Sequence, residues 1–369
     1  MKVVIVAGGT GGHIYPGLAV AEALKEKRAE ILFIGGQRGL EGKLISREGF
    51  EIKFIHARGF IRRFSLEPML ALYETFLGFI QSLSILRFFK PDIVLSTGGY
   101  VSLPVILAAR FAQVPIIIHE QNIIPGLTNR LAGRWAKRIT LAWAETSKYF
   151  PKDKVAVTGN PIRKKILEIG RKLDPDKKTV LILGGSQGAR RINQAAIEML
   201  PILNKGNVKV IHLTGERDYS WVSERVRSVQ NYEAIPYLFD PSLALASANL
   251  VVSRAGATII SEILAKGIPS ILIPFPYAAE GHQEKNAKLL ERAGAAVVVK
   301  DSELSGERLA REVNRLLSDE EGLKKMSEVS RHLGKPEATQ KLVQVLYEVA
   351  SFSPSAKSKS TRSSVPPSA

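Results

Sequence analysis

The chain has 369 residues, of which 45% are hydrophobic and 24% are charged, and it carries a formal net charge of +17. A chain of this length and composition can bury about two domain cores, which excludes a globally disordered protein. It contains no cysteine, which excludes disulfide frameworks, cysteine nucleophiles and thiolate metal sites. Its six histidines show no HExxH or other metal-ligand spacing.

The chain opens with a short apolar run, Val3–Ala7, which predicts a buried strand. The run is shorter than the ~7–15 residues of a signal-peptide core, so we expect a cytoplasmic protein. Similar runs alternate with segments of helical period, and this alternation predicts an α/β fold with two open parallel sheets. These runs are Ile31–Ile34, Ile93–Leu95, Pro115–Ile118, Val180–Leu183, Val208–Leu213, Leu250–Val252, Ser270–Ile273 and Ala296–Val299.

A weak internal repeat divides the sequence. Residues 3–12 and 180–189 both form an apolar run followed by a glycine-rich turn, and a third copy ends at residues 98–100. The pattern restarts after Gly159-Asn160-Pro161, so we predict one domain at residues 1–161 and a second at 162–350. The Ser-, Pro- and Lys-rich tail, 351–369, has no apolar period and is predicted to be disordered.

Glycine-rich turns between a strand and a helix let backbone N–H groups and the helix dipole meet an anion. One such turn is also typical of a simple tight connection, but three in one chain favour phosphate binding. A dinucleotide is not expected, because Ile14 replaces the third glycine of GxGxxG and Gly35-Gly36 replaces the acidic ribose ligand. The P-loop motif is also absent from the sequence, so the turns predict diphosphate ligands.

The segment Asp174-Pro175-Asp176 resembles the DxD metal motif of another transferase class. It sits in a polar connector before a strand, where a solvated turn is the expected structure. We therefore predict no metal site.

The positive charge is concentrated in the first half. Residues 1–161 carry +9, residues 162–350 carry +5 and the tail carries +3. This excess predicts an anionic partner, which is nucleic acid, an anionic membrane surface or a phosphorylated substrate; a generally basic proteome is the alternative explanation. We do not expect nucleic acid, because the sequence has no recognisable nucleic-acid module and such a role would leave the glycine turns without a task.

Eight short motifs follow one another along residues 8–287. They are Gly8-Gly9-Thr10-Gly11-Gly12-His13, Thr97-Gly98-Gly99-Tyr100, His119-Glu120-Gln121-Asn122, Gly159-Asn160-Pro161-Ile162-Arg163, Gly184-Gly185-Ser186-Gln187-Gly188-Ala189, Arg254-Ala255-Gly256-Ala257, Ser261-Glu262 and His282-Gln283-Glu284-Lys285-Asn286-Ala287. In this order they resemble the MurG family of bacterial cell-wall glycosyltransferases, over about residues 1–350.

The resemblance implies the GT-B fold, in which two Rossmann-like domains face each other across a cleft and the last helix crosses back to the first domain. It implies an inverting enzyme that moves N-acetylglucosamine from UDP-N-acetylglucosamine to the 4-hydroxyl of the muramyl sugar of lipid I. The product is lipid II, an intermediate of peptidoglycan synthesis. Another GT-B enzyme, such as a lipid glycosyltransferase or a UDP-N-acetylglucosamine epimerase, is the alternative.

The resemblance also implies a donor site. Arg163 and Ser186 would meet the diphosphate of UDP, and Glu262 would accept hydrogen bonds from the ribose hydroxyls because a carboxylate offers two acceptor oxygens. Gln283 would contact sugar hydroxyls, although the neighbouring His282 leaves open which of the two does so. The full set implied for UDP-N-acetylglucosamine is Thr10, Gly11, Gly12, Asn122, Arg163, Ser186, Leu238, Ala257, Thr258, Glu262, Gln283 and Asn286.

The first domain would bind lipid I, and the resemblance implies no metal and no cofactor. The acceptor diphosphate would lie on Gly11, Gly12, His13, Gly98, Gly99 and Tyr100. Inversion in one displacement needs one base and no protein nucleophile. His13 is the candidate base because a helix N-terminus disfavours imidazolium. A structural or phosphate-binding role is its alternative, and Glu120 is the competing candidate base.

Residues 66–89 are apolar enough to span a bilayer by length, but Glu74 and Gln81 interrupt them and a predicted strand follows closely. We interpret them as a helix that lies half in the core and half on an anionic membrane surface; an ordinary core helix is the alternative. This predicts a peripheral protein on the cytoplasmic face of the cell membrane, with other cell-wall enzymes as further candidate partners. The implied membrane contacts are Arg62, Arg63, Phe76, Phe79 and Arg87, near Arg58.

Overall fold

The computed structural model describes residues 1–58, 67–185, 188–203 and 208–351. The chain divides into two compact units. Unit 1 comprises Met1–Pro161 and the segment that begins at Glu337, and unit 2 comprises Ile162–Pro336.

Unit 1 is built on a seven-stranded parallel sheet. Its strands are β1 (Lys2–Val6), β2 (Glu30–Gly36), β3 (Glu51–Ile55), β4 (Ile93–Ser96), β5 (Ile116–Glu120), β6 (Arg138–Leu141) and β7 (Val155–Val157). Its helices are α1 (Gly11–Glu26), α2 (Glu41–Arg47), α3 (Glu67–Phe89), α4 (Ser102–Phe111), α5 (Leu127–Ala132) and the last helix, α14 (Ala338–Ser351). Helix α14 contacts α1, β4 and β6.

The strand order in unit 1 is β3-β2-β1-β4-β5-β6-β7. The chain winds outward from β1 to β3 and then returns to pair β4 with the other side of β1. The loops that follow β1 and β4 therefore leave the sheet in opposite directions, and a crevice opens between them. Gly99 has a φ of +91° here, and a Cβ at this position would overlap the carbonyl oxygen of Gly8, so the two loops touch through their backbones.

Unit 2 repeats this plan with six parallel strands, in the order β10-β9-β8-β11-β12-β13. The strands are β8 (Lys178–Leu183), β9 (Val208–Leu213), β10 (Tyr232–Ile235), β11 (Leu250–Ser253), β12 (Ser270–Leu272) and β13 (Ala296–Val298). The helices are α6 (Lys164–Glu168), α7 (Arg190–Glu198), α8 (Tyr219–Val226), α9 (Ser242–Ser247), α10 (Ala257–Lys266), α11 (His282–Ala293), α12 (Gly306–Ser318) and α13 (Glu320–Leu333).

The corresponding crevice of unit 2 lies where β8 pairs with β11. The glycine turn after β8 is tightly closed: a Cβ on Gly184 would overlap the backbone nitrogen of Ala189, and one on Gly188 would overlap the carbonyl oxygen of Thr214. Both sheets are Rossmann-like, so the predicted α/β fold of the GT-B class is confirmed.

The predicted runs correspond to nine strands, namely β1, β2, β4, β5, β8, β9, β11, β12 and β13, and they miss β3, β6, β7 and β10. In β1, residues Val3–Val6 are fully buried, because helices cover both faces of a parallel sheet. The edge strand β3 was missed: Glu51, Lys53 and Phe54 are exposed, so it has no apolar run to recognise.

Helix α3 contains the one segment within the described residues, Met69–Phe89, that is long and apolar enough to cross a membrane by length and composition. Two contacts join the helix to His56, the residue that follows β3. A Cβ on Gly78 would overlap the carbonyl oxygen of His56, and the side chain of Gln81 accepts a hydrogen bond of 2.8 Å from the backbone nitrogen of His56. The helix therefore packs against the sheet beside β3 and α4.

Each unit buries one histidine in its sheet. His119 lies 3.0 Å from both the Thr140 hydroxyl and the Asn160 side-chain oxygen. In unit 2, His212 lies 2.6 Å from the Tyr232 hydroxyl and 3.0 Å from the Asn193 side-chain oxygen. Burial lowers the pKa of each imidazole to about 4, so both rings are neutral at pH 7.

These histidines predict acid destabilisation. In the unfolded chain a histidine has a pKa of about 6.5, so between about pH 6.5 and pH 4 the unfolded state binds more protons. Stability should fall as the pH falls through this window, by on the order of 1–3 kcal/mol for each histidine. Thermal denaturation between pH 7 and pH 4.5 measures this slope. We expect a shallower slope in His119→Gln and His212→Gln, whatever their stability at pH 7. The exposed His332→Gln is the control, and equal slopes in all variants would contradict the assignment.

Candidate functional site

The crevice of unit 1 is centred on His13, the third residue of α1. Its Nδ1 lies 2.9 Å from the carbonyl oxygen of Thr97. A carbonyl can only accept, so Nδ1 carries the proton and the lone pair of the neutral ring is on Nε2. Gly98 packs against this ring, because a Cβ there would lie 3.0 Å from both Nδ1 and Cε1 of His13. The ring is thus fixed in orientation by the neighbouring loop.

The loop that orients His13 is itself held by Thr97, a fully buried residue. Its hydroxyl lies 2.8 Å from the carbonyl oxygen of His13 and 3.1 Å from that of Val6. Its carbonyl also accepts a 2.6 Å hydrogen bond from the Gln121 amide. One residue at the end of β4 therefore joins β1, α1 and the loop after β5.

Tyr100, a predicted acceptor contact, makes a contact within unit 1 that the sequence does not indicate. Its hydroxyl donates a 2.5 Å hydrogen bond to the carbonyl oxygen of Arg38, and its ring lies 3.2 Å from the position that a Cβ on Gly9 would take. Burial raises the pKa of Tyr100, and the negative charge of Glu41 adds to this, so the phenol stays protonated.

Glu120, the competing candidate base, is 2% exposed. Its Oε1 accepts from the backbone nitrogen of Asn122 at 2.9 Å and from the amide of Asn122 at 3.3 Å. Its Oε2 accepts from the amide of Asn129 at 2.8 Å and from the backbone nitrogen of Gly126 at 3.2 Å. Burial raises the pKa of Glu120, and these bonds oppose that effect. The carboxylate thereby closes the loop 121–126 around itself.

In unit 2, two predicted donor contacts bind each other. Arg163 donates from Nε and Nη2 to the same oxygen of Glu262, at 2.9 and 2.7 Å, and from Nη1 to the carbonyl oxygen of Phe239 at 2.9 Å. The Glu262 side chain is 3% exposed and that of Arg163 is 16% exposed. Since the two side chains are hydrogen-bonded to each other, each fixes the position of the other.

Four of the other predicted donor residues lie around the first turn of α10 and the start of α11, whereas Thr10, Gly11, Gly12 and Asn122 belong to unit 1. Asn286 is buried, and its side chain donates a hydrogen bond of 3.3 Å to the carbonyl oxygen of Ala255, in the loop before α10. The side chain of Gln283 accepts a 3.0 Å bond from the backbone nitrogen of Phe275. Ala257 and Thr258 begin α10 beside the end of β11, and Leu238 is half-buried. The predicted contacts Ser186, Arg62 and Arg63 lie outside the described residues.

A buried network behind the glycine turn of unit 2 was missed by sequence reasoning. Asn193 on α7 donates to the carbonyl oxygen of Thr214 at 2.8 Å and to Asp218 at 2.9 Å, and Arg190 donates to Asp218 at 2.9 Å. Burial raises the pKa of Asp218, but hydrogen bonds, chiefly from Arg190, outweigh it and lower the net value. The network fixes the start of α7, the helix that follows the turn.

Other missed residues include Thr97, Gln121 and Asn129. The first two belong to recognised motifs, but nothing in the motifs indicates that their side chains tie neighbouring loops together. Asn129 carries no sequence signal. Within the described residues, no three histidine, aspartate or glutamate side chains lie close enough to hold a metal ion.

Comparison with known proteins agrees with this architecture. The glycosyltransferase family 28 N-terminal domain matches residues 3–141, and the glycosyltransferase family 28 C-terminal domain matches residues 179–346. The MurG crystal structure from Acinetobacter baumannii superimposes with a TM-score of 0.75 at 28% identity, covering 94% of this chain and all of that chain. The UDP-GlcNAc 2-epimerase of Neisseria meningitidis gives a TM-score of 0.66 and covers 94% of this chain and 100% of its own, but at 18% identity it shows the fold alone.

Curated relatives match over nearly their whole length. The UDP-N-acetylglucosamine–N-acetylmuramyl-(pentapeptide) pyrophosphoryl-undecaprenol N-acetylglucosamine transferase of Halothermothrix orenii is 45% identical, over 95% of this chain and 99% of that protein. The enzyme of the same name from Thermodesulfovibrio yellowstonii is 43% identical, over 94% of this chain and 98% of its own. The chain therefore belongs to glycosyltransferase family 28, within the MurG group of N-acetylglucosamine transferases.

Proposed function

We propose that this protein transfers N-acetylglucosamine from UDP-N-acetylglucosamine to N-acetylmuramyl-(pentapeptide) pyrophosphoryl-undecaprenol, forming lipid II. The near full-length identity of 40–45% to enzymes named for this reaction carries the proposal. The direct test is incubation with radiolabelled UDP-N-acetylglucosamine and lipid I. Label in the lipid product supports the proposal, whereas epimerisation of the donor without transfer would overturn it.

Each unit has a crevice bordered by a glycine turn, and donor and acceptor each carry a diphosphate. We assign the nucleotide sugar to unit 2 and the lipid-linked acceptor to unit 1. In both units the glycine turn stands at the carboxyl end of a central strand and leads into a helix, where N–H groups and the helix dipole favour an anion.

The Arg163–Glu262 pair suits the donor. A carboxylate accepts from both hydroxyls of a ribose diol, and a guanidinium offers charged donors to a diphosphate. The ion pair holds the guanidinium and the carboxylate in fixed orientations before the nucleotide arrives. A preorganised cation can then stabilise the departing UDP with little reorganisation.

We favour His13 over Glu120 as the base that takes the proton of the attacking hydroxyl. The Nδ1–H···O=C bond to Thr97 leaves the basic lone pair on Nε2. The two oxygens of Glu120 already accept four N–H bonds inside the protein. Taking a proton would require Glu120 to give up at least one of them, so its geometry fits a positioning role better.

We propose that α3 rests on an anionic membrane surface. Large apolar side chains are exposed along one stripe of the helix, at spacings of three and four residues. They are Met69, Leu72, Tyr73, Phe76 and Ile80, with exposed fractions of 48–71%. Arg87 is exposed at the end of the helix, whereas Phe79 is half-buried against Phe111. Such a stripe beside cations is typical of a helix that lies in the membrane interface.

The donor pair predicts coupled effects of mutation. Glu262→Gln and Arg163→Ala should each raise the KM for UDP-N-acetylglucosamine by about 10- to 150-fold, because each removes a charged hydrogen bond. The double variant should lose less than the two single losses combined, since each side chain orients the other. Steady-state kinetics of the four proteins measures this coupling, and a 2′-deoxy donor should show a smaller loss in Glu262→Gln than in the wild type. Fully additive losses would contradict the shared role.

The base assignment predicts a loss of turnover. His13→Asn keeps a hydrogen-bonding amide but cannot take a proton, so kcat should fall by about 10²–10⁴-fold with little change in the acceptor KM. The acid limb of the pH–rate profile should also disappear. A raised acceptor KM with normal kcat would instead identify His13 as a binding residue, and Glu120→Gln would become the next test. His332→Asn on the exposed surface serves as the control.

The membrane proposal predicts that acidic substitutions in the exposed apolar stripe of α3 weaken vesicle binding. Leu72→Glu with Phe76→Glu should reduce cosedimentation with vesicles of anionic lipid by about tenfold or more. The variant loses two exposed apolar side chains that would enter the lipid interface, and it gains two negative charges that anionic lipid repels. Donor binding in solution should not change. Leu243→Glu alters an equally exposed leucine of unit 2 and is the matched control. Equal vesicle binding by wild type and double variant would exclude α3 as the contact.

A further inference from the structure

The loop between β2 and α2, residues 37–40, lies beside the glycine turn of unit 1. Strand β2 pairs in parallel with β1, with Val6 opposite Ile34, so the two strands deliver their following loops to the same edge of the sheet. None of the predicted acceptor residues belongs to this loop.

Two side chains anchor the loop to the glycine turns. The Tyr100 hydroxyl donates a hydrogen bond of 2.5 Å to the carbonyl oxygen of Arg38. Glu41, fully buried at the start of α2, accepts a 2.7 Å bond from the backbone nitrogen of Gly9. Gly39, with a φ of +156°, packs so closely on this carboxylate that a Cβ would overlap it. The backbone of Arg38 is therefore held from both sides.

The side chain of Arg38 is exposed, and within the described residues its guanidinium makes no ion pair. The arginines beside the crevice of unit 2 differ in this respect, because Arg163, Arg190 and Arg254 each bind a carboxylate of the protein. The Tyr100 hydroxyl binds the backbone of Arg38. Burial raises the pKa of Tyr100, and the positive charge of Arg38 opposes this rise. A cation on a fixed backbone, beside two glycine turns and with no carboxylate partner among the residues that the structure describes, is suited to an oxyanion of a ligand.

We propose that Arg38 binds an oxyanion of the lipid-linked acceptor and that Tyr100 and Glu41 position it for this task. The inference rests on the proposed function. The acceptor offers oxyanions of two kinds, the diphosphate and the carboxylates of its peptide, and a guanidinium can bind either of them with two parallel N–H···O bonds.

The test is steady-state kinetics of Arg38→Ala with lipid I. We expect the acceptor KM to rise about 5- to 50-fold, the range of a partly exposed charged hydrogen bond, with unchanged donor KM and unchanged kcat at saturating acceptor. Arg38→Lys should keep part of the affinity, because lysine retains the charge but not the bidentate geometry. Tyr100→Phe should raise the acceptor KM less than Arg38→Ala. Arg47→Ala, which removes an exposed arginine at the far end of α2, is the control.

A second acceptor identifies the oxyanion. If the Arg38→Ala penalty vanishes with a muramyl diphosphate lipid that lacks the peptide, the partner is a peptide carboxylate; if it persists, the partner is the diphosphate. A wild-type acceptor KM in Arg38→Ala with both acceptors would overturn the proposal. Failure of the wild-type protein to glycosylate either acceptor would overturn the proposed function instead, so the two failures are distinguishable.

Discussion

The carbonyl oxygen of Thr97 accepts from His13 and from Gln121, and the geometry of the unit 1 crevice depends on this atom. It lies just beyond β4, at the point where the strand order of the parallel sheet reverses, so its position follows from the pairing of β4 with β1. The same residue bonds back to Val6 and to the backbone of His13. The tautomer of the proposed base is therefore set by the sheet topology, because a carbonyl at this point leaves Nδ1 no role but that of a donor.

Unit 2 reaches a comparable fixed geometry with charged groups. There the central interaction is the Arg163–Glu262 pair, with Arg163 also bound to the carbonyl oxygen of Phe239. A buried ion pair is weak evidence for stability, because the desolvation of both charges offsets their attraction. We propose that its value here lies in orientation, because the guanidinium of Arg163 and the carboxylate of Glu262 on α10 hold each other in place. In unit 1, uncharged loops that touch through glycine fix the groups of the crevice. In unit 2, an ion pair fixes the corresponding side chains.

The sequence predicted nine strands and the glycine turns correctly because both depend on local patterns, and it missed β3, β6, β7 and β10. Buried parallel strands are continuous apolar runs, and a turn that approaches another backbone closely needs glycine. The edge strand β3 was missed because its exposed, charged residues lack such a run. Long-range polar partners also escaped prediction: Glu41 and Gly9 are 32 positions apart, and no local rule connects them. The motifs named Glu120 as a base candidate, but only the fold reveals that four N–H groups already surround its carboxylate.

Three of the buried carboxylates, Glu41, Glu120 and Glu262, lie next to the crevices where we propose that anionic substrates bind. Two unit charges 4 Å apart interact by about 4 kcal/mol near a protein surface, so uncompensated carboxylates there would repel a diphosphate. Each is compensated in a different way. Glu262 has the guanidinium of Arg163, and Glu120 has four N–H dipoles. Glu41 has a single N–H bond, from Gly9. Since that N–H is turned inward to the carboxylate, it is not available to a substrate. Among the described residues, the start of α1 and the exposed guanidinium of Arg38 are two groups beside this turn that can attract an anion. An anionic ligand held by them would lie away from the buried carboxylate of Glu41.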